Sequence, residues 1–177
     1  QSVMERAFLE ARAYREREDR RKSADPPLRQ DLRLEALSRI LTGGIKIHSH
    51  CYRADEILML LNTAERFGVK VQSLQHVLEG YKVAAEIAAH GASASTFSDW
   101  WAYKVEAFDA LPYNAALLAE AGVRVCLKSH SAELIRHLYH EASKAFRYVG
   151  VAQSRALHMF TLNPSPRLRP EPPHAPP

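Results

Sequence analysis

The feature that most constrains the fold is a repeated alternation of short β-like runs with longer helical segments. The β-like runs are residues 45–50, 69–75, 92–97 and 123–128, and the helical segments are 54–67, 81–90, 113–121 and 132–148. The first three helical segments are each followed by glycine, which readily ends a helix in the left-handed conformation. Strands that alternate with helices in this way form parallel βα units. The sequence therefore predicts an α/β fold with four parallel βα units.

The flanking segments differ from this central region in composition. Residues 1–22 alternate acidic and basic side chains in a pattern typical of an exposed helix, and residues 23–29 form a proline-marked linker. A further helix is expected over residues 32–41, ended by Gly43 and Gly44. Seven of the ten prolines fall in residues 164–177, which predicts a disordered, partly polyproline tail. We therefore divide the chain into 1–30 (charged helix and linker), 31–164 (main domain) and 165–177 (tail).

Composition excludes several classes of protein. The net charge of +4, from 24 basic and 20 acidic residues, is far from the clustered positive charge of a dedicated nucleic-acid binder. No apolar run approaches the roughly 18–20 residues that a membrane-spanning helix needs. We therefore expect neither a nucleic-acid partner nor a membrane. Cys51 and Cys126 match no disulfide or zinc-knuckle pattern and are expected to be small buried residues.

Candidate functional residues cluster at the ends of the predicted strands. His48 and His50 end the first strand, His76 follows the second, and His130 follows the last. Because the carboxyl ends of parallel strands meet at one edge of the sheet, these side chains are expected to converge. Neutral imidazoles suit a borderline metal such as zinc. The alternative is that they are only hydrogen-bonded histidines at the rim.

Five sequence blocks that occur in order carry a resemblance to a known family. They are HSHCYRADE at 48–56, QHVLEGYK at 75–82, SDWWAYK at 98–104, PYNAA at 112–116 and TLNP at 161–164. Over residues 32–164 the chain resembles the C-terminal half of a metal-dependent hydrolase of the amidohydrolase superfamily, in its imidazolonepropionase-like and dipeptidase-like branch. The aromatic SDWWAYK block is expected either to line a substrate pocket or to pack onto the rim.

The resemblance implies a fold, a reaction and a set of site residues. The expected fold is the C-terminal half, strands 5–8, of a (β/α)8 TIM-type barrel. The expected activity is hydrolysis of C–N bonds in a small amide or dipeptide-like substrate by water activated on a divalent metal, commonly zinc. The resemblance places the strand 5 ligand at His48 and the strand 6 ligand at His76. His50 shares the strand face of His48 and is the fallback ligand.

The sequence also departs from the family pattern. Where the family usually has Ser-Asp-Ser after strand 8, this chain has Ser129-His130-Ser131, which places His130 in the position of the catalytic base. Lys128 adds a positive charge beside it, which disfavours a cation. No segment before Ile45 supplies the His-x-His strand or the bridging lysine of the family.

These departures leave more than one function open. The first is a metal-dependent amidohydrolase. The alternative is a truncated or degenerate half-barrel that is catalytically inactive and acts at most as a binding module, and a third is an interaction module that uses the tail and first helix. A half-barrel is expected to have open edges beside Ile45 and Ile47 and beside Val123, Val125 and Leu127. It is therefore expected to form a homo-oligomer or to need the missing N-terminal barrel half.

Overall fold

A computed structural model describes residues 1–165. The strands are β1 (Ile47–Cys51), β2 (Val71–His76), β3 (Ser93–Thr96) and β4 (Val125–Leu127). The helices are α1 (Ser2–Arg20), α2 (Leu32–Leu41), α3 (Ala54–Arg66), α4 (Ala84–His90), α5 (Asn114–Glu120), α6 (Leu138–Val149) and α7 (Gln153–His158). Turns of 3-10 helix precede α4 at Gly80–Val83 and α6 at Leu134–His137. Of the predicted proline-rich tail, residues 166–177 lie outside the described residues.

The four strands form one parallel sheet in the order β1-β2-β3-β4. Consecutive strands are neighbours, and each connection between them contains a helix. This arrangement confirms the predicted α/β fold with four parallel strands, and it is consistent with part of a TIM barrel. No helix within residues 1–165 is long and apolar enough to cross a membrane.

The hydrophobic core lies between the sheet and the helices that connect its strands. Ile57 of α3, Ile87 of α4 and Leu118 of α5 are fully buried against strand residues such as Leu74 and Val125. β3 and β4 are buried along their whole length, whereas His48 and His50 of β1 are exposed.

The two cysteines are buried, as predicted from the sequence. Cys51 at the end of β1 and Cys126 in β4 are both free thiols. Burial raises the pKa of Cys51 to about 12, with a smaller contribution from Glu56. A thiol with so high a pKa stays protonated and unreactive at neutral pH.

Helix α1 is less exposed than its charge pattern predicted. Phe8, Ala11 and Tyr14 are buried. Ala11 and Tyr14 pack against Leu34 of α2. Phe8 reaches the end of α3, where its ring centroid lies 5.2 Å from that of Phe67. Most of the helix is exposed, but these three residues, spaced three apart, form one apolar stripe that packs onto the rest of the fold.

The edge of the sheet at β4 is covered, which corrects the prediction that both outer strands are open. The Leu127 N–H donates to the Met159 carbonyl at 2.8 Å. The Asn163 side-chain amide donates to the Val125 carbonyl at 2.7 Å. These groups point away from β3, because Lys128 N–H is the one that bonds to Thr96 of β3. The segment after α7 therefore satisfies the outer edge of β4.

The other edge, at β1, has no neighbouring strand within residues 1–165. The Cys51 carbonyl accepts from Val77 N–H on the β2 side. Because backbone groups alternate in direction along a strand, those of His48 and His50 point to the open side.

We expect the purified chain to self-associate through this open edge. An unpaired strand edge is a template for pairing with another chain. Light scattering at micromolar concentration should give a mass above the 20.0 kDa of one chain. A His48→Pro variant should associate less, because it lacks the outward N–H. A well-dispersed monomer that unfolds cooperatively would contradict the prediction.

Candidate functional site

The carboxyl edge of the sheet brings together three of the four predicted site histidines. His50 Nδ1 lies 2.6 Å from His76 Nε2, across the pairing of β1 with β2. The His130 ring packs edge-on against His76, with 4.9 Å between the ring centroids. The three rings therefore form one cluster, centred on His76, at the edge where parallel α/β folds place their active sites. Their roles as ligands and base remain predictions.

His48 lies outside this contact. It is exposed and pairs in register with Ser73 of β2, whereas His50 pairs with Gln75, next to His76. Two residues of strand correspond to about 6.6 Å along the sheet. His50, which the sequence ranked as the fallback ligand, is thus the β1 histidine that reaches His76.

A strained turn at the end of β2 aims the His76 ring. His76 has a φ of 75° and Val77 a φ of 48°, in the left-handed region that β-branched residues rarely adopt. Val77 N–H donates to the Cys51 carbonyl at 2.9 Å. Strain of this kind persists only where surrounding contacts fix it, and it is common at functional sites.

Asn114 supplies further contacts that fix this turn, and the sequence analysis assigned it no role. Its side chain is buried; its Nδ2 donates to the Val77 carbonyl at 2.7 Å and to Thr96 Oγ1 at 3.1 Å. Its Oδ1 accepts from Tyr81 N–H at 2.9 Å. Asn114 therefore ties together the segments that follow β2 and the end of β3. The available signal was a polar residue at the start of a helix whose next five residues are Ala and Leu.

The environment keeps His76 neutral. Burial, chiefly, and then electrostatic interactions with Lys128, His50, His130 and Lys104 lower the pKa of His76 to about 3. Its Nδ1 is buried and has no hydrogen-bond partner among residues 1–165. A buried polar atom without a partner costs about 1–3 kcal/mol. Such an atom is typical of a site completed by a further group.

Aromatic side chains surround the histidine cluster. The Tyr52 ring stacks on His76 with 4.5 Å between centroids and an angle of 8°. Phe97 packs on His76 at 5.9 Å, and Trp100 packs on His130 at 6.1 Å. The Trp100 indole N–H donates to the Ser129 carbonyl at 3.0 Å. Of the two readings of the SDWWAYK block, Trp100 thus fits packing onto the rim.

Residues 1–165 could supply two ligands of a metal site but not a complete set. Among them, no group of three or more His, Cys, Asp or Glu side chains is close enough to hold a metal ion. Zinc–nitrogen bonds of about 2.0–2.1 Å in a tetrahedral site hold ligand atoms roughly 3.3 Å apart. The 2.6 Å between His50 and His76 is a hydrogen bond between imidazoles instead. A metal would require these rings to separate and further ligands to come from elsewhere.

Comparisons with known proteins point to one family. No profile of a known protein family matches the sequence. The sequence is 26% identical over 151 residues to Amidohydrolase tasK of Hapsidospora irregularis, covering 82% of this chain and 15% of that protein. The fold matches the crystal structure of an amidohydrolase from Thermotoga maritima with a TM-score of 0.82 and 26% identity. The chain resembles amidohydrolases in both sequence and fold.

The resemblance to the amidohydrolase superfamily that the sequence blocks predicted is thereby confirmed. The structural match covers 94% of this chain and 44% of the Thermotoga maritima chain, so this amidohydrolase-like sheet spans less than half of that protein. A four-stranded parallel sheet that covers less than half of an amidohydrolase agrees with the expectation of a partial barrel.

Proposed function

We propose that the chain forms one half of an amide-hydrolysing site and acts together with a complementary set of strands. The observation that carries this proposal is the contact of His50, His76 and His130 at the carboxyl edge of an amidohydrolase-like sheet. The edge at β1 supports it, because β1 has no neighbouring strand on that side within residues 1–165.

In this proposal His50 and His76 supply two ligands of a divalent metal, with zinc preferred, and the other ligands lie outside residues 1–165. A bound metal of this kind lowers the pKa of water and polarises a carbonyl. The lowered pKa of His76 suits a ligand, because a metal binds only the neutral imidazole. His130, which is exposed beside His76, is placed to accept a proton as the base. The substrate is a small amide or dipeptide-like molecule.

The second candidate is an inactive half-barrel that acts at most as a binding module. It is favoured by the absence of a three-ligand group from residues 1–165 and by the positive charge of Lys128 next to the cluster. The two candidates differ in zinc binding, since an inactive module has no need of the histidine nitrogens as ligands.

Zinc binding tests the proposal. After dialysis of the metal-free chain against equimolar zinc, we expect less than one equivalent to be retained, because stable sites have three or four ligands. His76→Ala and His50→Ala should each weaken zinc binding by at least about tenfold. His158→Ala, which removes an exposed histidine of α7, is the matched control and should leave it unchanged. Stoichiometric binding that neither site substitution affects would remove both histidines from the site.

A further inference from the structure

We propose that Lys104 and Lys128 recognise a carboxylate on the substrate, next to the histidine cluster. This inference rests on the proposed function and narrows its substrate class to amides that carry a carboxylate near the amide, such as N-acyl amino acids. Neither lysine has a role in the proposed ligand set.

The two ammonium groups approach His76 from different loops. Lys104, in the loop after β3, places its Nζ 3.6 Å from the centroid of the Tyr52 ring, which itself stacks on His76. Lys128, directly after β4, places its Nζ 3.3 Å from Gln75 Oε1 and 5.8 Å from the centroid of Phe97. Gln75 precedes His76 in β2. Each ammonium group therefore contacts a residue next to His76: Tyr52, which stacks on it, or Gln75, which precedes it in the chain.

The ammonium group of Lys104 contacts aromatic rings, whereas those of Lys82 and Lys144 pair with carboxylates. Lys82 pairs with Glu79 and Asp109, and Lys144 pairs with Glu141 and Asp99. For Lys104, no carboxylate oxygen of residues 1–165 lies within 4.0 Å, and its Nζ meets the faces of Tyr52 and Tyr103. A cation–π contact holds a charged ammonium in place without neutralising it. Lys104 is thus positioned and charged for an anionic partner.

Two positive charges lie close to His76. They belong to Lys104, whose Nζ lies over the Tyr52 ring that stacks on His76, and to Lys128, whose Nζ lies 3.3 Å from Oε1 of the neighbouring Gln75. Charges of one sign grouped at a site attract ligands of the other sign. The same charges oppose a free divalent cation, so a carboxylate would also offset the cost of placing a metal there.

A carboxylate from the substrate fits this arrangement better than an inorganic anion does. In an N-acyl amino acid a single carbon atom separates the carboxylate from the amide nitrogen. Lysines that hold the carboxylate would therefore bring the amide bond to the histidines. Positioning of this kind is a large part of what an active site contributes to a reaction.

Binding without metal or turnover tests the inference on the whole chain. We expect N-acetylglycine to shift the imidazole proton resonances of the cluster in a saturable manner in NMR titrations. N-acetylglycinamide, its neutral counterpart, and inorganic phosphate should each bind at least about tenfold more weakly. Lys104→Met and Lys128→Met should each weaken N-acetylglycine binding by about tenfold. Lys104→Arg should retain most of the binding, because it keeps the charge.

Lys70→Met is the matched control, since Lys70 is exposed just before β2, at the opposite edge of the sheet. It should leave binding unchanged. Equal binding of the neutral amide, equally tight binding of phosphate, no binding at all, or an equal effect of Lys70→Met would each overturn the inference. Loss of zinc binding or hydrolysis with carboxylate binding intact would instead count against the proposed function alone.

Discussion

With zinc supplied, the chain alone is expected to hydrolyse N-acetylglycine far more slowly than ~1 per second, the lower end of ordinary enzymatic turnover. The reason is that residues 1–165 bring together no more than part of a ligand set and leave the edge at β1 open. His130 also lacks the negative charge of the acid that the family usually has at its position. Release of glycine by micromolar protein over several hours, measured by chromatography, gives the rate.

Two variants make this result interpretable. A chain with both His50→Ala and His76→Ala gives the background of the assay. His130→Asp restores an acidic group but not the missing strands, so it should remain within about tenfold of the unchanged chain. Turnover at ~1 per second or more by the unchanged chain would show that residues 1–177 form a complete catalyst.

Local sequence signals were sufficient to predict most of the secondary structure. The helix predicted over residues 32–41 has those bounds, because Asp31 caps it through the Leu34 N–H at 3.1 Å and glycines follow it. The helix predicted over 81–90 begins as 3-10 helix at Gly80–Val83 and becomes α-helical only at Ala84. The local pattern thus predicted the helix but not the geometry of its first turn.

The edges of the sheet show the same limit. Open edges follow from the count of strands, yet the β4 edge is covered by Asn163, 38 residues away in sequence. The apolar stripe of α1 can be seen in the sequence, but its contact with Phe67, directly after α3, is a property of the folded chain.

For the candidate site, the parallel arrangement of the strands predicted that histidines at their carboxyl ends meet at one edge, and three of them do. It did not predict which histidine of the HSH block would contact His76. That depends on the register of the sheet. His50 pairs with Gln75, next to His76, whereas His48 pairs with Ser73. The left-handed turn at His76 and Val77 contains no glycine, the residue that usually indicates such a turn, so it could not be predicted from the sequence.

Asn114→Ala is expected to lower the free energy of unfolding by roughly 3–5 kcal/mol. The substitution removes the partner of the Tyr81 N–H and the Nδ2 donor to Thr96 Oγ1, and it leaves the Val77 carbonyl with the Gly80 N–H alone. Because Asn114 is buried, water cannot replace these bonds without a rearrangement. Urea denaturation followed by circular dichroism measures the change.

Asn163→Ala is the matched control, because it removes one amide hydrogen bond, to the Val125 carbonyl, from a half-buried position. It should cost only about 1 kcal/mol. Asn114→Asp keeps the acceptor for Tyr81 N–H but loses both donors, so it should also be strongly destabilising. Because the Val77 turn aims His76, the imidazole resonances of His76 should move in Asn114 variants that still fold and stay in place in Asn163→Ala. An Asn114→Ala chain that loses no more stability than Asn163→Ala would show that Asn114 does not fix this turn.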